Sequence, residues 1–542
     1  MFKKNIFSIL FVLIILLAAF LRLYNLSNFP VGFHIDEASL GYNAYSLLLT
    51  GKDDNGHRFP LYIDIFGDNR PSGYHYLDIL PVKFLGLNEF STRLPGALFG
   101  VFSVIAIFVL TNSIFKNKKI SLISAFLLAV SPWNVSLSRA SAETIIALFL
   151  IMLGFGLIIL SIDKKRVAYL SWGSIFLILS FFFYHTPRVF VPLLFLVFFL
   201  YLYKTLKANR VYLKKIFISL VVVSLVSFLL VFKVNGGTGR FTQVSIFNSP
   251  GTKLITAEQE REDGVSGAAL LATRIFHNKI INYSQDFVGN YLTYFSGDFL
   301  FLNGGLPIWY KIPNMGLLYI IELPFILIGI FYLFAAKNPS FKFLLFWILI
   351  SPVTASLTVD DVPNIQRTIV LFPALEICAA LGIYTFYNSF KFKKQFIYIL
   401  SLLFVFNIAF FLHQYFVHAK VHRTWFRNNG FNEAMALVKN SYNSYDNVVI
   451  TKTTGGLYPL VLFYMKYDPS VYQKEGSPKD PEYKGFGKFV FVPQDCPYDN
   501  RDQRFPKGKT LFVERGDCAN PGTQNFKLIK REDGTDAYKI VY

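Results

Sequence analysis

Eleven uninterrupted apolar runs, each of about twenty residues, dominate this sequence and leave a bundle of membrane-spanning helices as the fold that accommodates them. They lie near residues 5–24, 94–115, 120–137, 143–162, 167–184, 189–204, 216–234, 315–335, 341–358, 368–389 and 395–416. Unpaired backbone N–H and C=O groups are too costly in hydrocarbon, so each run predicts a helix. Composition agrees: charged residues make up 16% of the chain and hydrophobic ones 53%, whereas soluble domains carry roughly 25% charged residues. A disordered, collagen-like or disulfide-knot chain is excluded. The expected fold class is a polytopic α-helical membrane protein with about eleven transmembrane helices. The stretch 287–310 has room for one more interfacial or re-entrant helix. The first run follows Lys3 and Lys4 and contains Ala18 and Ala19 near its end, yet continues through Phe20 and Leu21 into Arg22 without a small-x-small cleavage site. It reads as a retained anchor rather than a signal peptide.

The formal net charge of +19 would raise the question of nucleic acid in a soluble chain. Here the basic residues cluster in short gaps between apolar runs: Lys3 and Lys4; Lys116, Lys118 and Lys119; Lys164, Lys165 and Arg166; Lys204, Lys207, Arg210, Lys214 and Lys215; Lys337 and Lys342; Lys391, Lys393 and Lys394. All fall on one face, with Asp163 the only acid among them, and the positive-inside rule makes that face cytoplasmic. No polar segment interleaves Arg with aromatics as a nucleic-acid surface would. The loop 25–93, the loop 235–314 and the tail 417–542 are then expected outside the membrane, where the chemistry should also lie.

The tail changes character. It is rich in Asn, Asp, Lys and Tyr, with a helix expected around Phe431 to Lys439 and strand-like stretches at 447–451, 488–492 and 510–514. These predict a small α/β or α+β domain. The domain division is therefore 1–416, transmembrane with a catalytic first outward loop 25–93, and 417–542, soluble and extracytoplasmic. Cys378 lies in a span and reads as a small apolar residue. Cys496 and Cys518 lie in the tail, where a disulfide is possible in an oxidising compartment. No His/Cys spacing matches a zinc site.

The first outward loop carries the chemistry. It contains Phe33-His-Ile-Asp36-Glu37, then Phe66-Gly-Asp-Asn-Arg-Pro-Ser-Gly-Tyr-His-Tyr76, and closes on Thr92-Arg93-Leu-Pro95. A helix through Ala38 to Leu49 ending at Gly51 would set Asp36 at its N-terminal end, where the macrodipole favours a carboxylate. An ordinary N-cap acid in water would look the same. The neighbouring motifs weigh against that blander account.

Those motifs, with Ser131-Pro-Trp-Asn-Val-Ser-Leu-Ser-Arg139 and Tyr184-His-Thr-Pro-Arg188 further on, resemble the GT-C superfamily of membrane glycosyltransferases. Specifically, they resemble the protein O-mannosyltransferase-like, phospholipid carrier-dependent branch, glycosyltransferase family 39. The resemblance covers roughly residues 5–415 and leaves the tail aside. It implies a polyprenyl-phosphate-linked sugar as donor, a hydroxyl acceptor, and Asp36 as general base. Sugar transfer needs a base near the acceptor hydroxyl and cations around the leaving phosphate, roles suited to carboxylate and guanidinium.

Arg93, Arg139, Arg188 and Arg367, all at outer span ends, are candidates for the phosphate, Arg93 first. Each could equally snorkel to headgroups, and Arg139 could pair with Glu143. Glu37 is a candidate for orienting the acceptor or Asp36, and Tyr184 and His185 for the donor sugar. Asp64, Asp68, Arg70, His75 and Tyr76 are candidates for shaping the same cavity. Glu322 is a weaker candidate, and Glu376, nearer mid-membrane, a structural hydrogen-bond partner or a protonated side chain. The resemblance leaves divalent metal open, and no metal ligand is assigned. Expected is a multi-pass enzyme transferring a hexose or pentose to a protein, glycolipid or cell-envelope polymer, with membrane lipids as partners and no nucleic acid. The alternatives are a transporter or flippase, although no internal repeat with broken helices is evident, and a non-catalytic envelope glycan-binding protein.

Overall fold

The computed structural model describes residues 2–65, 67–205, 210–234, 237, 243–336, 339–452, 456–475 and 482–542; Phe66, Lys207 and Lys337 lie outside the described residues. Contacts divide the chain into two compact units. One comprises Met1–Leu21, Phe99–Val135 and Ala142–Ala409; the other comprises Arg22–Leu98, Ser136–Ser141 and Phe410–Tyr542.

Every apolar run expected from the sequence has a helical counterpart. Six helices among the described residues are long and apolar enough to cross a membrane: Ile6–Leu23, Glu89–Phe115, Glu143–Lys164, Arg210–Phe232, Leu371–Ser389 and Lys393–His418. Lys118–Val130 and Pro132–Arg139 form a bent pair, broken where Pro132 cannot donate to the helix ladder. Val167–Ser180, Ile320–Ala335 and Phe341–Ser356 are shorter than their apolar runs, and Pro187–Tyr203 matches its own. The run 167–184 loses its end to turns at Phe181–Phe183 before Pro187 opens the next helix. The stretch 287–310 completes the helix Lys279–Thr293 and continues in short turns rather than a further span.

Small residues set one close crossing in the first unit. A Cβ on Gly329 would stand 2.0 Å from the Cys378 carbonyl, and one on Gly382 would stand 1.9 Å from the Phe325 carbonyl. These reciprocal glycines let two backbones touch, the usual solution where lipid supplies no hydrophobic drive between helices. Cys378 is buried in that contact. Glu376 accepts a hydrogen bond from Trp133 Nε1 at 3.0 Å, the structural partnership expected of it.

In the second unit the loop 25–93 folds as the helix Ile35–Thr50, a hairpin of β1 (Tyr62–Ile65) and β2 (Asp68–Pro71), and the helix Gly73–Leu85. The tail forms a mixed sheet of β3 (Asn447–Thr451), β4 (Lys484–Phe486), β5 (Phe489–Val492), β6 (Thr510–Arg515), β7 (Phe526–Lys530) and β8 (Asp536–Val541). Its order is β4-β5-β3-β6-β8-β7, with β3 parallel to both β5 and β6. The helix Phe431–Ser441, expected from the sequence, packs on it. The tail keeps one small cluster of its own, Val449, Val492, Phe512 and Val541, and shares its larger one. Phe33, Ala38 and Tyr42 share one hydrophobic cluster with Phe431, Val461, Phe463 and Ile540, so the expected boundary at 416/417 does not separate two cores. A helix of sixteen residues cannot bury its faces alone, and the tail covers this one.

Cys496 and Cys518 form a disulfide closing a sequence separation of 22 residues. Loop-closure entropy of that size predicts that Cys496→Ser/Cys518→Ser lowers the unfolding free energy of the tail by about 3 kcal/mol. Thermal unfolding of the double variant against the oxidised protein checks this; an unchanged transition would count against it.

Candidate active site

The helix Ile35–Thr50 begins with a reciprocal cap. His34 Nδ1 accepts the Asp36 backbone N–H at 3.2 Å, while Glu37 accepts the His34 backbone N–H at 3.2 Å. Gly51, at φ 67°, closes the other end. Asp36 therefore stands in the first turn, as the sequence predicts.

Asp36 and Glu37 are neighbours with different environments. The Asp36 side chain keeps 18% exposure and meets Arg70 Nη2 at 3.2 Å. Arg70, on the antiparallel partner of β1, also donates through Nε to Asp68 Oδ2 at 3.1 Å. Burial works against a charge on Asp36, but Arg70 and His34 outweigh it and hold the carboxyl far below the ordinary carboxylate range.

Glu37 is enclosed, at 2% exposure, between two guanidinium groups. Arg93 donates Nε to Glu37 Oε1 at 2.8 Å and Nη2 to Oε2 at 3.3 Å. Arg427, 390 residues away in sequence, pairs with Oε2 from the tail. Burial opposes ionisation here too, yet Arg427 and Arg93 keep the carboxyl below its usual value. Arg93 spends its other N–H groups on the carbonyls of Leu26 (3.1 Å), Ser27 (2.9 Å) and Gly32 (2.7 Å). The Phe33 N–H donates to the Arg427 carbonyl at 2.7 Å. Gly32, at φ +77°, has that carbonyl 2.3 Å from where a Cβ would sit. Gly32→Ala is accordingly expected to destabilise the unit by about 2 kcal/mol or more, from positive-φ strain and the clash together. A fall in the thermal midpoint measures it, and wild-type stability would contradict the packing described.

This geometry corrects the expected order among the arginines. Arg93, ranked first for the phosphate, is fully buried and saturated by carbonyls and Glu37, so it anchors the loop after the first span. Arg139 is likewise fully buried, donating to the carbonyls of Tyr24 (2.7 Å) and Phe29 (3.1 Å) beneath the rings of Tyr415 and Phe416. Glu37, expected to orient acceptor or base, is committed to its two cations. His75 is fully buried, and burial with the nearby Arg70 pushes its imidazole down to about 3, so it stays neutral. Burial pushes the carboxyl of Asp78, one turn on, well above the ordinary carboxylate range. Asp64 pairs across the hairpin with Asn69, and the Tyr76 hydroxyl donates to the Pro60 carbonyl at 2.9 Å, so both shape the hairpin base.

Five expected site residues belong to the first unit. Arg188 donates to the Phe181 carbonyl at 2.7 and 3.0 Å and lies 3.2 Å from His185 Nδ1; the His185 ring meets Tyr184 edge-on. Arg367 holds Asp360 at 2.8 Å and donates to Thr358 Oγ1 at 2.8 Å. Glu322 is fully buried. Among the described residues no three His, Cys, Asp or Glu side chains gather in a way that could hold a metal ion, and Asp36 is engaged by Arg70, so these residues do not fit a metal centre.

Sequence reasoning missed Arg427, and with it the pin from the tail to Glu37. Its only signal is that an Arg follows a span. Arg70 was undervalued, because nothing local marks it as the cation that reaches Asp36.

The chain matches the family described as dolichyl-phosphate-mannose-protein mannosyltransferase over residues 69–228, a segment that includes Arg70, Arg93, Arg139 and Arg188 but not Asp36. It is 26% identical over 177 residues to YkcB of Bacillus subtilis (strain 168), provisionally named a mannosyltransferase; that match spans 31% of this chain and 23% of the relative. Among solved structures, it resembles ArnT from Cupriavidus metallidurans in its apo state, with TM-score 0.52 and 11% identity over 99% of this chain and 98% of that one. ArnT bound to undecaprenyl phosphate gives the same TM-score. The Archaeoglobus fulgidus oligosaccharyltransferase aligns with TM-score 0.53 and 16% identity over 84% of this chain, which spans 61% of that enzyme's length. Helices long and apolar enough to cross a membrane, a loop-and-tail unit and these likenesses give the chain the helical membrane fold seen in ArnT and the archaeal oligosaccharyltransferase.

Proposed function

We propose that the chain is an inverting glycosyltransferase that moves one sugar from a polyprenyl-phosphate carrier to a hydroxyl acceptor on the extracytoplasmic face. The observation that carries this reading is Asp36: an ionised, partly exposed carboxylate in the first turn of a helix, held by an equally accessible Arg70. The acceptor hydroxyl attacks the anomeric carbon, the bond from that carbon to the phosphate oxygen breaks, polyprenyl phosphate leaves with the electron pair, and Asp36 takes the acceptor proton. Arg70, a quarter exposed where Arg93 and Arg139 are fully enclosed, is the cation best suited to the leaving phosphate. If Arg70 turns to the phosphate, Asp36 loses its counter-ion and becomes a stronger base as the donor arrives.

The donor class is supported by the ArnT structure bound to undecaprenyl phosphate. The outward orientation is supported by the one-sided basic gaps and by the disulfide in the tail, a bond suited to an oxidising compartment. The test is reconstitution in vesicles with a radiolabelled polyprenyl-phosphate hexose or pentose and an envelope extract. Transfer of label and release of polyprenyl phosphate are expected; a lipid-linked sugar left intact across the donor panel would sink the reading.

A further inference from the structure

A cavity of about 820 Å³ opens in the second unit beside the loop 25–33, and the reaction above makes no use of it. Segments far apart in sequence wall it: that loop, residues 428–433, and the turn between β7 and β8. Its volume falls within the roughly 300–1,000 Å³ of small-molecule sites, with room for a short oligosaccharide rather than a single ion. Phe33 lines it and stands three positions before Asp36. The bonds from Arg93 to the Gly32 carbonyl and from Phe33 to the Arg427 carbonyl fix that wall.

The lining is polar where most ligand pockets are apolar. Five carboxamides face it, from Asn25, Asn28, Asn428, Asn429 and Asn432. Asn28 Nδ2 already donates to Asn25 Oδ1 at 2.7 Å, Asn428 Nδ2 to the Phe33 carbonyl at 3.4 Å, and Asn429 Oδ1 accepts the Glu532 N–H at 2.9 Å. That leaves Asn432 with a whole amide and the others with their remaining donor or acceptor capacity, the pattern that vicinal hydroxyls satisfy. The charges cancel: Glu89, Glu433 and Glu532 against Lys420, Lys530 and Arg531. Lys420 and Glu532 already pair at 3.1 Å. No net field therefore selects an anion or a cation. Phe29 and Tyr464, both partly exposed, add aromatic faces of the kind on which the C–H side of a sugar ring rests.

We infer that this cavity binds a neutral oligosaccharide, the glycan whose hydroxyl receives the transferred sugar; the binding stands on the cavity alone, and the acceptor role rests on the transferase reading. Asn432 and Glu433 are exposed on its wall and make no hydrogen bond or ion pair among the described residues, so they can be changed without disturbing the fold. The test uses the full chain in detergent, presented with neutral hexose and N-acetylhexosamine tetrasaccharides, sulfated tetrasaccharides, and Ser/Thr peptides of similar size. Saturable binding of a neutral tetrasaccharide is expected, weakened about tenfold by Asn432→Ala and by Glu433→Gln through loss of hydrogen bonds, with thermal unfolding unchanged. Asp36→Asn is expected to bind it as wild type does while failing to transfer. No saturable tetrasaccharide binding, binding indifferent to both cavity variants, or preference for peptide or sulfated sugar would overturn the inference. Transfer with an acceptor KM unmoved by Asn432→Ala would overturn the cavity and leave the transferase reading intact; glycan binding without any transfer would do the reverse.

Discussion

Glu37→Gln is expected to cost the second unit about 3–5 kcal/mol, because it leaves the buried cations Arg93 and Arg427 facing each other without their shared anion. The two cations respond differently to a second change. Arg427 meets Glu37 through its side chain from the tail, so Glu37→Gln/Arg427→Met removes one of the two facing cations and should recover part of the loss. Arg93→Met would strand the carbonyls of Leu26, Ser27 and Gly32 as well, so Glu37→Gln/Arg93→Met should recover nothing. pH supplies an independent sign. The folded carboxyl lies below its ordinary value, so its contribution is fully present above the unfolded value of about 4.3 and is lost as pH falls through the folded value. The gap between wild type and Glu37→Gln should therefore narrow in acid. Unfolding midpoints of the three variants across pH decide the matter; equal recovery in both double variants would show that Arg93 is not the loop's anchor.

What the sequence made legible follows the strength of the local signal. Each apolar run has its helix, because hydrocarbon leaves a backbone almost no other choice. The central strands β3, β5 and β6 were readable as continuous apolar stretches, the mark of parallel pairing with both faces covered. The edge elements β4 and β7 and the strand β8 were not: Lys484–Phe486 is too short to signal, and Phe526–Lys530 and Asp536–Val541 interleave Lys with apolar residues. Asp36 was found at its helix N-terminus because capping residues and Gly51 are local marks. Arg93 was misjudged for the opposite reason. An Arg at a span end looks the same whether it awaits a phosphate or grips the carbonyls of an irregular loop, and carbonyls leave no trace in side-chain identity. Arg427 completes a buried triad across 390 residues, a distance over which one sequence carries no pairing information. Exposure in the folded chain separates the two classes: Arg70 is open enough to meet a ligand, and Arg93 is not.

Asp36→Asn is expected to lower turnover about 10²- to 10⁴-fold, the usual contribution of a positioned general base. The substitution keeps the shape of the side chain, and the helix cap is made by His34 and Glu37, so the fold should be untouched. Its effect on the donor separates a catalytic acid from a structural one. With the Asp36 charge gone, Arg70 keeps Asp68 but its Nη2 no longer faces a carboxylate there, and the KM for the lipid-linked sugar should stay level or fall while kcat collapses. Arg70→Met should do the opposite, raising the donor KM because the leaving phosphate loses its guanidinium. A carboxyl held this far below the ordinary range stays ionised throughout the neutral range, so the wild-type kcat/KM profile should show no acid limb from Asp36 between pH 5 and 8. Arg70→Met removes the cation that most opposes burial, and in that variant the carboxyl should rise toward ordinary values, bringing an acid limb with it. Steady-state kinetics of the two variants in vesicles, across that pH range, read all of these outcomes. Full turnover by Asp36→Asn would remove the base, and a donor KM indifferent to Arg70→Met would remove the phosphate contact.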